Sequence, residues 1–128
     1  MIKKNDSIGL SLEGRDIKSF CISDFEFAEH PKAEALFTGL HHARETMSLT
    51  MNIYLFTKLL FDFYHDRNNT ELFLRNKFCI IPAVNVDGYN YIEEIYRNSG
   101  RLTSIRKNRK QTGCNKYKKK KKNKFGFV

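Results

Sequence analysis

A chain of 128 residues and 15.1 kDa has room for one domain and not for two comfortable ones. Hydrophobic residues make up 41%, with 11 Phe and 6 Tyr, which excludes a disordered chain. The net charge of +9 suggests a nucleic-acid binder, but its distribution removes most of that support. Residues 101–128 hold 12 basic and no acidic side chains, so the first hundred residues, with 11 basic against 14 acidic, carry a net of −3.

Apolar stretches are interrupted well short of a bilayer's thickness, so no membrane span is expected. The opening Met1-Ile-Lys-Lys-Asn-Asp-Ser7 lacks the apolar core of a signal peptide. Cys21, Cys79 and Cys114 are odd in number, far apart and form no C-x-x-C pair, so neither a disulfide framework nor a thiolate zinc site is expected. Cys21 and Cys79 read most simply as small core residues.

Along the chain, β-branched and aromatic residues at 17–23 follow a Gly14-Arg15-Asp16 turn and predict a strand. Ala35–Leu40 is a short apolar run after the His30-Pro31 break and reads as a buried strand. Leu49, Ile53, Phe56, Leu60 and Phe63 recur at steps of four and three, predicting a helix with a core stripe to about residue 65. Polar residues at 65–70 end it. Phe78–Val84 is near-continuously apolar, as a strand covered on both faces is, with Pro82 tolerable only near its end. Asn85–Tyr89 is expected to be a turn, and Glu93 and Glu94 lie in a polar stretch with no partner carboxylate that makes either a general base.

Strand, helix, strand is the crossover unit of α/β proteins, so the fold class is α/β. The expected architecture is an incomplete mixed, mostly parallel sheet with helices on its faces. Ligands in such sheets gather beyond the carboxyl ends of strands, which draws attention to the residues after Leu40 and after Val84.

His42 and Glu45 follow the second strand three residues apart, a spacing that lets an imidazole and a carboxylate converge on one metal ion. His41 and Glu45, four apart, are a second geometric option. An H-x-x-E tetrad also arises by chance in many chains. Ile105–Lys110 brings Arg106 and Arg109, guanidinium groups of the kind that stabilise an oxyanion, although charge alone favours a solvated basic loop.

The ordered set TGLHHARE, IPAVNVDGY, IRKNRK and TGCNK resembles the zinc carboxypeptidases of the carboxypeptidase A/B type. The opening SIGLSLEGRDIKSFCIS resembles the segment leading into the zinc motif, so the likeness spans Ser7 to Lys116. It implies that His42 and Glu45 are two zinc ligands and that His41 is only their neighbour. It also implies that Arg44 lines the substrate cleft and Arg106 polarises the scissile carbonyl. Asn85, Asp87 and Gly88 match a structural turn, with Val86 where the family has proline.

The family's chemistry is removal of the C-terminal residue of a peptide, using zinc, a glutamate base and arginines that hold the substrate carboxylate. His₂Glu is the ligand set given for carboxypeptidase A. The family's Asp-x-Asn-Arg-Asn carboxylate clamp, its second zinc histidine and its catalytic glutamate lie downstream of the TGCNK match and have no counterpart here; His30 and His65 match no ligand position. The expectation is therefore an amino-terminal part of such a domain over 1–115, with weak or absent zinc binding and negligible peptidase activity. Its partners in a full domain are peptide or protein C-termini, and family members are often secreted.

Residues 116–128 form a Lys-rich tail, expected to be disordered. Lys116, Lys118–Lys122 and Lys124 supply counterion release for nucleic acid or an acidic surface, yet only Tyr117, Phe125 and Phe127 interleave, so nucleic-acid binding is the alternative and not the main reading. A catalytically dead, peptide-binding carboxypeptidase-like protein is a further alternative. No pattern in the chain specifies an oligomeric state.

Overall fold

A computed structural model describes residues 2–24, 31–65 and 70–111, with the backbone alone for 2–6 and 70. The Lys-rich tail, His30 and Cys114 lie outside the described residues. The elements in order are β1 (Ile2–Leu10), β2 (Asp16–Ile22), β3 (Ala33–Thr38), α1 (Thr46–His65), α2 (Thr70–Arg75), β4 (Asn76–Ile81) and α3 (Val86–Ser99).

The described strands form one sheet in the order β1-β2-β4-β3. β1 and β2 are an antiparallel hairpin closed by the turn at 11–15, where the Ser11 amide donates to the Arg15 carbonyl at 2.8 Å. β2 pairs antiparallel with β4, and β3 pairs parallel with β4 through six residues from Ala33–Asn76 to Thr38–Ile81. The α/β class and the mixed sheet are as expected. Parallel pairing does not predominate among the described strands: one ladder of three is parallel, because a tight hairpin allows only the antiparallel sense between β1 and β2. β1 itself was not anticipated, since its polar Lys-Lys-Asn-Asp run masks the alternation that marks a strand.

The chain from β3 through α1 and α2 to β4 is the expected crossover. β4 ends at Ile81, so Pro82 falls just outside the ladder and costs no bond. α1 covers the predicted range but not with a buried stripe. None of its residues is buried, and Ile53 is 50% exposed. Contact with the sheet runs instead through aromatic rings. Phe56 meets Phe20 at 6.0 Å between centroids, and Phe63 meets Phe73, which in turn meets Phe78, edge-on at 5.0 and 5.8 Å. Phe73 on the short α2 is fully buried and is the hub of this cluster. Met47, Met51, Tyr54 and Phe61 of α1 and Leu36 of the β3 edge stay exposed, the bare apolar surface that an incomplete sheet predicts.

Two further expectations are corrected. Residues 86–99 form a helix, not merely a turn: Asn85 is its N-cap, accepting from the Gly88 amide at 3.1 Å, and Gly100 closes it in the left-handed conformation. The Asn-Val-Asp-Gly composition reads as a turn because a cap uses the same side-chain chemistry. Cys21 and Cys79 are joined in a disulfide. The strand register explains it, because the two residues stand directly opposite one another on β2 and β4 with 4.1 Å between Cα atoms. Two cysteines 58 apart in sequence give no hint of that pairing until the register is known.

The bridge closes a long loop, so replacing Cys21 and Cys79 together by alanine is expected to lower unfolding free energy by about 2–4 kcal/mol, read as a lower urea midpoint. An unchanged midpoint, or three free thiols instead of one in the wild-type protein by alkylation and intact mass, contradicts the assignment.

Candidate metal centre

The site forms where the chain leaves two neighbouring parallel strands. Beyond β3 and β4 the backbones remain bonded: the Gly39 amide donates to the Ile81 carbonyl at 3.0 Å, Val84 to Gly39 at 3.0 Å and Asn85 to Leu40 at 2.9 Å. Gly39 is required by this closeness, since a Cβ there would lie 2.9 Å from the carbonyl oxygens of both Pro82 and Ser48. Leu40 turns the chain with φ of 51°, fully buried, and donates its amide to the Ser48 hydroxyl at 2.9 Å.

The turn at 41–45 then folds back, with the Glu45 amide donating to the His42 carbonyl at 3.0 Å, and α1 begins at Thr46. This turn brings the three-apart pair together. His42 Nδ1 lies 2.8 Å from Glu45 Oε2. The other carboxylate oxygen, Oε1, accepts from Arg106 Nε at 3.3 Å. The loop carrying Arg106 is pinned to the same turn by the Ala43 amide, which donates to the Arg106 carbonyl at 3.1 Å. Arg44 reaches the Ser104 carbonyl at 3.5 Å from an exposed position. His42, Glu45 and Arg106 thus converge, and Arg44 flanks them.

Contact with His42 holds the Glu45 carboxyl below its ordinary value, against the opposing effect of desolvation, with Arg106 adding to the lowering. The group is an anion at neutral pH and about half exposed, so it is open to a cation from solvent. Neighbouring ligands on a tetrahedral zinc ion with bonds of about 2.0–2.2 Å stand about 3.3–3.5 Å apart. A separation of 2.8 Å needs to widen by only about half an ångström to match two such corners. The pair therefore fits two positions of a zinc site. Among the described residues no three His, Cys, Asp or Glu side chains gather where they hold a metal.

The remaining sequence candidates separate cleanly. His41 is exposed and contributes its backbone carbonyl to Asn85 Nδ2 at 3.2 Å, a structural contact. His65 stacks on Phe61 at the far end of α1. Glu93 faces Arg97 on α3 and Glu94 faces Asn90.

Asp87 is the residue whose importance the sequence understated. Buried at the start of α3, it accepts from the Ser11 hydroxyl at 2.6 Å, the Glu13 amide at 3.1 Å and Arg15 at 2.8 Å. Burial pushes its carboxyl up, but the bonds from Ser11, Arg15 and the Glu13 amide outweigh it and leave the group below its ordinary value. Arg15 and Arg109 both bind Glu13, at 2.5 and 2.9 Å, and Arg109 lies 3.8 Å over the Tyr91 ring. The sequence marks Asp87 as part of a structural turn, and Arg15 and Arg109 as members of a turn and a basic segment, but none of these names its partner.

Comparison with known proteins places this geometry. The family model for zinc carboxypeptidases matches residues 2–125. An inactive metallocarboxypeptidase, ecm14, of Talaromyces marneffei is 31% identical over 110 residues, covering 84% of this chain and 18% of that protein. The crystal structure of thrombin activatable fibrinolysis inhibitor superposes with a TM-score of 0.69 at 27% identity, over 88% of this chain and 26% of that one. The bovine form of that protein, in complex with tick carboxypeptidase inhibitor, gives a TM-score of 0.63 at 26% identity over 88% of this chain and 31% of that one. The chain spans less than a fifth of the length of the curated relative and under a third of these structures.

A depressed folded-state pKa stabilises the fold above the unfolded value and loses that contribution as pH falls through the folded one. Asp87→Asn, which leaves Arg15 and the Glu13 amide poorly paired, is therefore expected to cost about 1–3 kcal/mol at neutral pH. The gap to wild type should close as pH drops below about 4 in denaturation curves. A gap that is constant from pH 7 to 3 contradicts this role.

Proposed function

This chain belongs to the zinc carboxypeptidase family, and from that premise we propose that His42 and Glu45 are two ligands of a family-type zinc site, with Arg106 and Arg44 on the peptide side. The observation that carries the reading is the contact of His42 Nδ1 with one oxygen of Glu45 while Arg106 holds the other. Zinc bound there supplies Lewis acidity to a water or a carbonyl oxygen. His42 brings a neutral nitrogen donor, and Glu45 brings an anionic oxygen that offsets part of the metal's charge.

Arg106 is 56% exposed and always charged, so its guanidinium donates to a carbonyl oxygen that approaches the pair. Arg44 stands beside it as a second cation for a carboxylate. The ligand class that suits this grouping is a peptide with a free C-terminus: a carbonyl for Arg106 and a carboxylate for an exposed arginine.

A catalytic zinc site uses three protein ligands and an open position, and its reaction needs a general base. The described residues supply two ligands and no base near them. The 128-residue polypeptide is therefore proposed to bind zinc weakly and to hydrolyse peptides negligibly. A binding role without turnover gains support from the relative, which is named an inactive metallocarboxypeptidase.

Titration of the 128-residue protein with zinc against a chromophoric chelator tests this. Binding weaker than about micromolar, lost in both His42→Ala and Glu45→Ala, is expected, with a blocked dipeptide hydrolysed at the buffer rate. Zinc binding indifferent to both substitutions overturns the ligand assignment. Sub-micromolar binding accompanied by hydrolysis overturns the proposed inactivity.

A further inference from the structure

Residues 100–111 carry Arg106 yet form no helix or strand, and most of their side chains are exposed. Something other than a helix or a sheet ladder has to hold them. One tie is the Ala43 amide to the Arg106 carbonyl. Three residues further on, Arg109 Nε donates to Glu13 Oε1 at 2.9 Å, and its guanidinium carbon sits 3.8 Å over the Tyr91 ring on α3. Glu13 is itself fixed, through Arg15 at 2.5 Å and through its own amide to the buried Asp87 at 3.1 Å. An unbroken run of contacts thus leads from a buried carboxylate at the start of α3 to the irregular segment, joining residues 96 positions apart in sequence.

We propose that Glu13 and Arg109 are positioning residues: their ion pair, with Arg109 stacked on Tyr91, clamps the 100–111 segment so that Arg106 stays against Glu45. Neither touches the His42–Glu45 pair; both act through Arg106, and the functional meaning of the clamp rests on the assignment of Arg106 given above. Arg109 suits the task better than a lysine does, since a planar guanidinium pairs with a carboxylate and stacks on a ring together. The charges of Glu13 support it, its carboxyl being held below the ordinary range by Arg15 and Arg109.

The test is the rate at which phenylglyoxal modifies Arg106, mapped by mass spectrometry in the 128-residue protein, with the exposed Arg75 of α2 as the internal reference and thermal melting recorded in parallel. Freed from the clamp, Arg106 leaves Glu45 more often. Arg109→Ala and Glu13→Gln should each raise its rate by about two- to fivefold, the range of a partly exposed ion pair, with Arg75 unchanged. The double variant should match Arg109→Ala alone, because that substitution already removes both the ion pair and the stack. Arg109→Lys, which keeps the charge and loses the stack, should fall between.

An Arg106 rate that does not move overturns the proposal. So does a rate that rises in step with Arg75 and a falling melting temperature, which marks general loosening. Zinc titration of the same wild-type protein separates the two ideas: no binding there sinks the ligand assignment, while the arginine rates still decide whether the clamp exists.

Discussion

Two strand ends that stay bonded after the strands have finished set the position of everything that follows. Three backbone hydrogen bonds link 39–40 to 81–85 beyond the parallel ladder, and they force the turn at 41–45 and the start of α3 to lie side by side. The cost is local. Gly39 tolerates no side chain, and Leu40 adopts a left-handed conformation that disfavours an L-residue by roughly 1–2 kcal/mol. Full burial of the Leu40 side chain and the capture of its amide by Ser48 offset that strain. Gly88 shows the same crowding from the other side, with a Cβ there falling 2.8 Å from that of Ala43.

The two carboxylates near this junction have opposite environments and, in consequence, opposite capacities. Asp87 is buried and bonded to three donors of the surrounding loop and turn, so it is closed to a ligand from solvent and serves the scaffold. Glu45 sits at the surface, each oxygen holding one side-chain partner that solvent can replace. A carboxylate of the second kind is what a cation site requires. The same contrast separates the arginines: Arg15 and Arg109 are committed to Glu13 and Asp87, whereas the guanidinium of Arg106, among the described residues, holds Glu45 at a longer distance.

Much of the architecture is legible in the sequence, for reasons that differ by element. The runs at 17–23, 35–40 and 78–84 are apolar and β-branched enough to reveal β2, β3 and β4 within a few residues. The helix α1 follows from its periodicity, yet its burial does not, because periodicity records an apolar face and not what covers it. Ile53 repeats at helical spacing and is still half exposed. α3 escaped because its cap, Asn85, and its Asp87-Gly88 pair have turn chemistry. The disulfide escaped because strand register, not spacing, brings Cys21 opposite Cys79. At the site, the spacing of His42 and Glu45 is local and readable; the approach of Arg106 across 61 residues and of Glu13 across 96 is tertiary and leaves no local trace.

Relatives several times longer than this chain give the exposed faces of α1 and the β3 edge a context, since the described residues cover one part of a larger family fold. The role proposed for His42 and Glu45 is small and local: one imidazole and one carboxylate would share a divalent cation. Zinc K-edge X-ray absorption on the metal-loaded chain reads that directly. One imidazole nitrogen at about 2.0–2.1 Å, with oxygen neighbours and no sulfur, is the result that agrees with His42 and Glu45 as ligands. A sulfur shell, a second imidazole, or a spectrum unaltered by His42→Ala would contradict it.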